Sequence, residues 1–241
     1  LGANNGTYTF GITDATTAGT DNHVLLDMRG GATTTAADAT DLVLAGVENI
    51  TVDTTEASGK QSFDFNASAL TNLTVKGDSA LDINGTVLGA GVETVDASGM
   101  TAAFDVSLNT SAINGATVTG SSAVDTVVGT QLADTISTGD GNDKITGGAG
   151  DDTVEFTYAL SSYFINRADH LLADVGTDEW FYNEFFGEGA PSSEYVSRSN
   201  FQVGEPIFQV DYIFTDGTRQ TDYVQAEFLV FENGTSGDST D

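Results

Sequence analysis

The 241-residue chain has no cysteine, which excludes disulfides and thiolate metal sites. A cysteine-free chain in an oxidising compartment must be held by something else, and bound metal is a natural choice. Basic residues are scarce: 7 Lys and Arg stand against 36 Asp and Glu, for a formal net charge of −29. Nucleic acid is therefore a poor partner, because phosphate binding needs clustered Lys and Arg. No apolar run is long enough for a transmembrane helix. No secretory signal opens the sequence, and its first residue is Leu1. A mature or partial chain is expected, with any export signal elsewhere. Only two histidines occur, His23 and His170, and neither H-E-x-x-H nor G-x-S-x-G is present. His23 reads as a solvated residue of a polar turn and His170 as structural. No enzyme activity is expected.

Hydrophobic residues make up 39% of the chain, and the carboxylates are scattered among apolar alternations. That pattern is not a disordered acidic tail. Such a charge repels itself unless cations are bound. Aromatics divide the chain. Tyr8, Phe10, Phe63, Phe65 and Phe104 are the only ones before residue 156, and all the others follow. A boundary is expected near Phe156.

A nine-residue repeat dominates the middle. Asp125, Asp134, Asp143 and Asp152 fall in one phase, and an aliphatic residue (Val127, Ile136, Ile145, Val154) follows each by two. The units are GSSAVDTVV, GTQLADTIS, TGDGNDKIT and GGAGDDTVE, without an insertion. Glycines permit positive φ and close backbone approach, so each unit can turn sharply. Turn carbonyls beside an Asp make an oxygen-rich site of the kind that suits Ca²⁺. The aliphatic residue is expected on a short strand facing the axis. Two units make one coil, so Asp125 should stack on Asp143 along one edge, and Asp134 on Asp152 along the other.

This segment resembles the RTX (repeats in toxin) family, whose parallel β-roll binds Ca²⁺ between successive turns. The resemblance implies that Gly139, Gly141, Gly148 and Gly150 lend turn carbonyls, and that Asp134, Asp143 and Asp152 lend carboxylates. Asp125 and Asp140 complete the implied metal set. Members of the family leave the cell by type I secretion and fold outside, where calcium is abundant.

A looser repeat precedes the roll. Phe63-Asp-Phe65-Asn66, Leu81-Asp-Ile83-Asn84 and Phe104-Asp-Val106-Ser107 align as apolar-Asp-apolar-polar. A second strand type aligns on Val52, Val75, Val95 and Val118. Short Thr- and Val-rich strands recurring every 20 or so residues suggest a parallel β-solenoid. Asn84-Gly85 is a hairpin signal, so a β-sandwich stays open. The style of residues 40–155, as in Leu42-Val-Leu-Ala-Gly46-Val-Glu-Asn-Ile50-Thr-Val52, also resembles RTX-type bacterial surface-layer proteins.

After residue 156, Phe208–Phe214 reads as a strand, Thr215-Asp-Gly217-Thr as its turn, and Asp222–Phe231 as another apolar segment. A solenoid exposes the backbone edge of its last coil, so a terminal cap is expected here. The region resembles the C-terminal strands that often follow RTX repeats, and the resemblance implies an uncleaved export signal at the far end. Five aromatics crowd Trp180–Phe186, as core of the cap, as an interface anchor, or as a carbohydrate platform.

The expected fold is all-β: a right-handed parallel β-solenoid (1–119), a calcium-binding β-roll (120–155), and an aromatic-rich C-terminal β cap and secretion region (156–241). The expected role is a secreted, calcium-binding structural protein that self-assembles into an extracellular surface layer or filament. Its partners would be further copies of itself and cell-surface polysaccharide. The alternatives are an adhesin or glycan-binding module, and the export tail of a larger secreted enzyme.

Overall fold

The computed structural model describes residues 8–11, 22–30, 42–62, 65–83, 88–108, 110–158, 163–167, 207–226 and 228–231. Every regular element among them is a β-strand. A small parallel sheet contains β1 (Tyr8–Gly11), β3 (Leu42–Ala45) and β6 (Phe65–Asn66). A second sheet has eight strands: β2 (His23–Gly30), β4 (Asn49–Ala57), β7 (Asn72–Gly77), β9 (Thr94–Met100), β11 (Thr117–Thr119), β13 (Thr135–Ser137), β15 (Thr153–Phe156) and β19 (Phe228–Phe231). The third also has eight, in the order β5 (Gln61–Ser62), β8 (Leu81–Ile83), β10 (Phe104–Ser107), β12 (Thr126–Val128), β14 (Lys144–Thr146), β18 (Arg219–Gln225), β17 (Ile207–Ile213) and β16 (Tyr163–Arg167).

All pairings are parallel except β16 with β17 and β17 with β18. The chain therefore alternates between sheets and returns one coil further on, which is a solenoid and not a sandwich of hairpins. Strands of three or four residues suffice because each alternates inward and outward, as in the buried-exposed pattern of β4 and β10. The inward residues stack coil on coil. In the second sheet Ile50, Leu73, Val95, Val118, Ile136, Val154 and Leu229 form one row. In the third, Ile83, Val106, Val127, Ile145 and Val224 form another. All but Leu229 are buried, and full burial of each such side chain stabilises by roughly 1.5–3 kcal/mol.

Two expected alignments shift. Val95 lies beside Leu73 and not Val75. A two-residue slip keeps every side chain on its own face, so alternation alone cannot set the register there. Phe65 does not stack beside Ile83, the place the aligned pattern gives it. Phe65 pairs with Leu42 in the small sheet, and Gln61 takes the place beside Leu81 that the pattern gives to Phe63. These earlier coils carry a third face, seen in β3, β6 and an isolated bridge between Ala67 and Leu88. The nonapeptide coils have only two strands each, so they are shorter.

His23 opens β2 and does not lie in the turn before it. It is exposed, with Nε2 at 2.8 Å from Thr51 Oγ1.

The C-terminal strands join the same stack. β18 pairs parallel with β14, and β19 pairs parallel with β15, so the two add a last coil to both sheets. The hairpin β17–β18 turns at Gly217, whose φ is +87°, and is closed by the Phe214 N–H donating to the Thr218 carbonyl at 2.8 Å. Tyr158 stacks on Tyr212 with ring centroids 4.2 Å apart, and Tyr163 packs against Phe156 at 5.3 Å. This aromatic group lies beside the end of the roll. Trp180–Phe186, His170, Asn84-Gly85 and Thr235–Asp241 lie outside the described residues.

Candidate metal centre

The nonapeptide turns stack edge on edge. Residues 120–125 face 138–143, and residues 129–134 face 147–152. The glycines show how closely. A Cβ on Gly139 would stand 2.5 Å from the Ser121 carbonyl oxygen, and one on Gly141 would collide with the Ala123 carbonyl. On the other edge, a Cβ on Gly148 would collide with the Thr130 carbonyl, and one on Gly150 would stand 2.5 Å from the Leu132 carbonyl carbon. All four glycines also have positive φ, between +86° and +143°. Only glycine supplies both properties without strain.

The aspartates of the repeat form buried ladders. Asp125, Asp134, Asp143 and Asp152 are each at most 2% exposed. Each points back one coil and accepts a backbone N–H there. Asp143 Oδ1 accepts from Asp125 at 2.9 Å, and Asp152 Oδ1 accepts from Asp134 at 2.9 Å. Asp125 Oδ1 accepts from Phe104 at 2.8 Å, and Asp134 Oδ1 from Ala116 at 2.6 Å. The two pairs of stacked aspartates are those the nine-residue phase brings together.

The second carboxylate oxygens divide the repeats into two kinds. In the first two units a hydroxyl residue stands where the others have glycine. Ser121 donates its N–H to Asp125 Oδ2 at 2.7 Å and its hydroxyl to Oδ1 at 2.6 Å. Thr130 does the same for Asp134, at 2.6 Å and 3.0 Å. In the third unit Gly139 offers no hydroxyl, and Asp143 Oδ2 is buried with no hydrogen-bond partner among the described residues. A buried carboxylate oxygen in that state is costly unless a cation meets it.

Charge and burial act accordingly. Burial, then the nearby charge of Asp222, pushes the Asp143 carboxyl up to about 8. Burial lifts Asp125 to about 6, against the hydrogen bonds from Ser121 and Phe104. Burial also lifts Asp222 to about 7. These carboxylates resist ionising in the folded chain without a counter-charge.

No cluster of three or more Asp, Glu, His or Cys gathers at one point among the described residues. A cation here would use one or two carboxylates together with turn carbonyls. That all-oxygen, mostly neutral donor set fits Ca²⁺, which takes 6–8 oxygens and tolerates irregular geometry. Asp143 and Asp152, with the carbonyls of the turns holding Gly139, Gly141, Gly148 and Gly150, are the residues that would hold it. The bound ion would supply positive charge that allows these carboxylates to stay ionised while buried. Asp140 differs from the others: it sits exposed at the turn tip, outside the ladder.

Asp222 was not apparent from the repeat. It is 2% exposed, and its Oδ1 accepts the Asp143 N–H at 3.0 Å, across 79 residues of chain. It thus occupies the next rung above Asp125 and Asp143. The signal was present as Asp222-Tyr-Val224, an Asp followed by an aliphatic two residues on, but no glycine turn precedes it.

Residues 119–154 match the family model of the RTX calcium-binding nonapeptide repeat, in four copies. Neither the curated proteins nor the solved structures gave a match to the chain. The chain carries RTX repeats, and repeats of this family bind calcium.

Proposed function

With an RTX calcium-binding roll as the premise, we propose that this chain is a secreted, non-catalytic structural protein that assembles into an extracellular layer or filament. The observation that carries the reading is the continuous stack: two eight-stranded sheets, parallel except at the β16–β17–β18 end, run through solenoid, roll and terminal coil. A solenoid of this kind grows by adding coils at its ends, and its terminal strands offer backbone groups for pairing. Among the described residues β2 ends the second sheet and β5 ends the third, and Leu25 on β2 is 57% exposed. The acidity supports the reading in a second way, because calcium can bridge acidic surfaces that otherwise repel.

The test is assembly against calcium. Purified chain, freed of metal, is examined by electron microscopy and light scattering as Ca²⁺ is raised to the millimolar range. Ordered sheets or fibres that dissolve on chelation are expected. Monomers alone at millimolar calcium would overturn the proposal.

A further inference from the structure

The aspartate ladder does not stop with the nonapeptides. Three observations place a further rung beyond them. Asp222 Oδ1 accepts the Asp143 N–H at 3.0 Å, as Asp143 does for Asp125 and Asp125 does for Phe104. Asp143 is fully buried, and its Oδ2 has no hydrogen-bond partner among the described residues. Beyond the third repeat's turn the next strand brings Gln220 and not another glycine turn. Gln220 Nε2 lies 3.3 Å from Asp222 Oδ2 and 3.4 Å from the Gly139 carbonyl. Both contacts are long for hydrogen bonds. One N–H₂ group thus bridges a carboxylate and a turn carbonyl, two oxygens that a cation could also bridge.

We propose that Asp222 and Asp143 share a calcium site at the edge of the repeat, completed by the Gly139 carbonyl and by Gln220 through its amide oxygen. The proposal rests on the reading of the roll as calcium-binding. The amide of Gln220 needs only to turn about its last bond to present oxygen in place of nitrogen. The strand that carries the site is already seated: Thr221 donates its N–H to Asn142 Oδ1 at 2.8 Å, and Tyr223 donates its N–H to the Asp143 carbonyl at 2.8 Å. An ion here would pin the strand Arg219–Gln225 onto the third repeat. The last coil, reached only after a long excursion of chain, would then be held more firmly in the place it already occupies. Neither Asp222 nor Gln220 belongs to the matched repeats at 119–154.

The experiment counts calcium by isothermal titration calorimetry on the full chain, prepared metal-free, as wild type and as Asp222→Asn, Gln220→Glu and Asp216→Asn. Asn at 222 keeps an oxygen for the Asp143 N–H and loses the charge. Asp222→Asn is expected to bind one ion fewer, or to hold one ion at least about tenfold more weakly. Asp216 lies in the exposed hairpin turn, so its variant should match wild type. Gln220→Glu adds a charged oxygen at the site and should tighten one ion about tenfold or more. It also decides the matter if Asp222→Asn does not fold. An unchanged count and affinity in Asp222→Asn, or unchanged or weaker binding in Gln220→Glu, overturns the shared site while leaving the repeat sites intact. A wild-type chain that binds no calcium at all overturns the roll reading and this one together.

Discussion

At the scale of single residues, the raised carboxyls of Asp125, Asp143 and Asp222 set the pH response. Asp143 titrates near 3.8 when unfolded and near 8 when folded without metal. The folded state therefore holds the proton more tightly, and stability falls as pH rises through that window. Metal-free protein should melt at a higher temperature at pH 5 than at pH 8, by circular dichroism. Saturating calcium should reverse the order, because the ion needs the deprotonated carboxylate. A metal-free melting point that rises steadily from pH 5 to pH 8 would contradict the burial seen here. Asp143→Ala should lose most of the calcium-induced gain in melting temperature, and Asp38→Ala, outside the repeats, should keep it. The phase of the four aspartates was legible in the sequence because nothing interrupts it. Asp222 was hidden because 79 residues separate it from its rung partner, and a fixed period cannot be followed across such a gap.

At the scale of the element, the four turns are alike in spacing and different in chemistry. Ser121 and Thr130 satisfy their aspartates with hydroxyl and backbone donors, whereas Gly139 carries no hydroxyl, and Asp143, though Thr138 reaches its carboxylate, keeps one buried oxygen without a hydrogen-bond partner among the described residues. The first two turns are therefore expected to need calcium less than the third. Thr130→Val removes the donor to Asp134 Oδ1 and the acceptor of the Leu132 N–H. Losing a hydrogen bond to a buried charged group costs about 1.5–3 kcal/mol. For a chain of this size that is a fall of roughly 3–12 °C in the metal-free melting point, and Thr130→Ser should recover most of it. If Thr130→Val melts like wild type, the hydroxyl is not what holds Asp134. The same contrast explains which strands were legible. The roll's strands follow a strict phase with aliphatic residues in register. Upstream, Val75 and Val95 could be aligned by their alternation and still be two residues out of register, because the pleat repeats every two residues. Phe65 went to a third face that the apolar-Asp-apolar pattern does not distinguish.

At the scale of the whole molecule, the question is how a chain with a net charge of −29 stays folded. Three of its cations, Lys60, Lys76 and Arg219, are already paired. Lys60 lies 3.0 Å from Asp82 and 2.9 Å from Asp105, two aspartates on adjacent coils. Lys76 meets Asp53 at 2.9 Å across β4 and β7, and Arg219 meets Asp211 at 2.7 Å. Stacking coils in register stacks their carboxylates too, so repulsion grows along the rod unless cations intervene. Two kinds of cation effect can be separated. Diffuse salt screens exposed charges beyond a Debye length of ~8 Å at physiological ionic strength, but it does not enter a buried turn. Calcium does both. The metal-free protein should therefore gain melting temperature as NaCl is raised, and then level off. Saturating calcium should lift the melting point beyond that plateau and leave little further dependence on NaCl. Magnesium at the same concentration should not follow calcium above the plateau, because it holds its waters and demands octahedral geometry. If NaCl or magnesium reproduced the full calcium effect, calcium would be acting as a general counterion. The buried oxygen of Asp143 predicts otherwise, since it can be met only by an ion that sheds water to reach the turn.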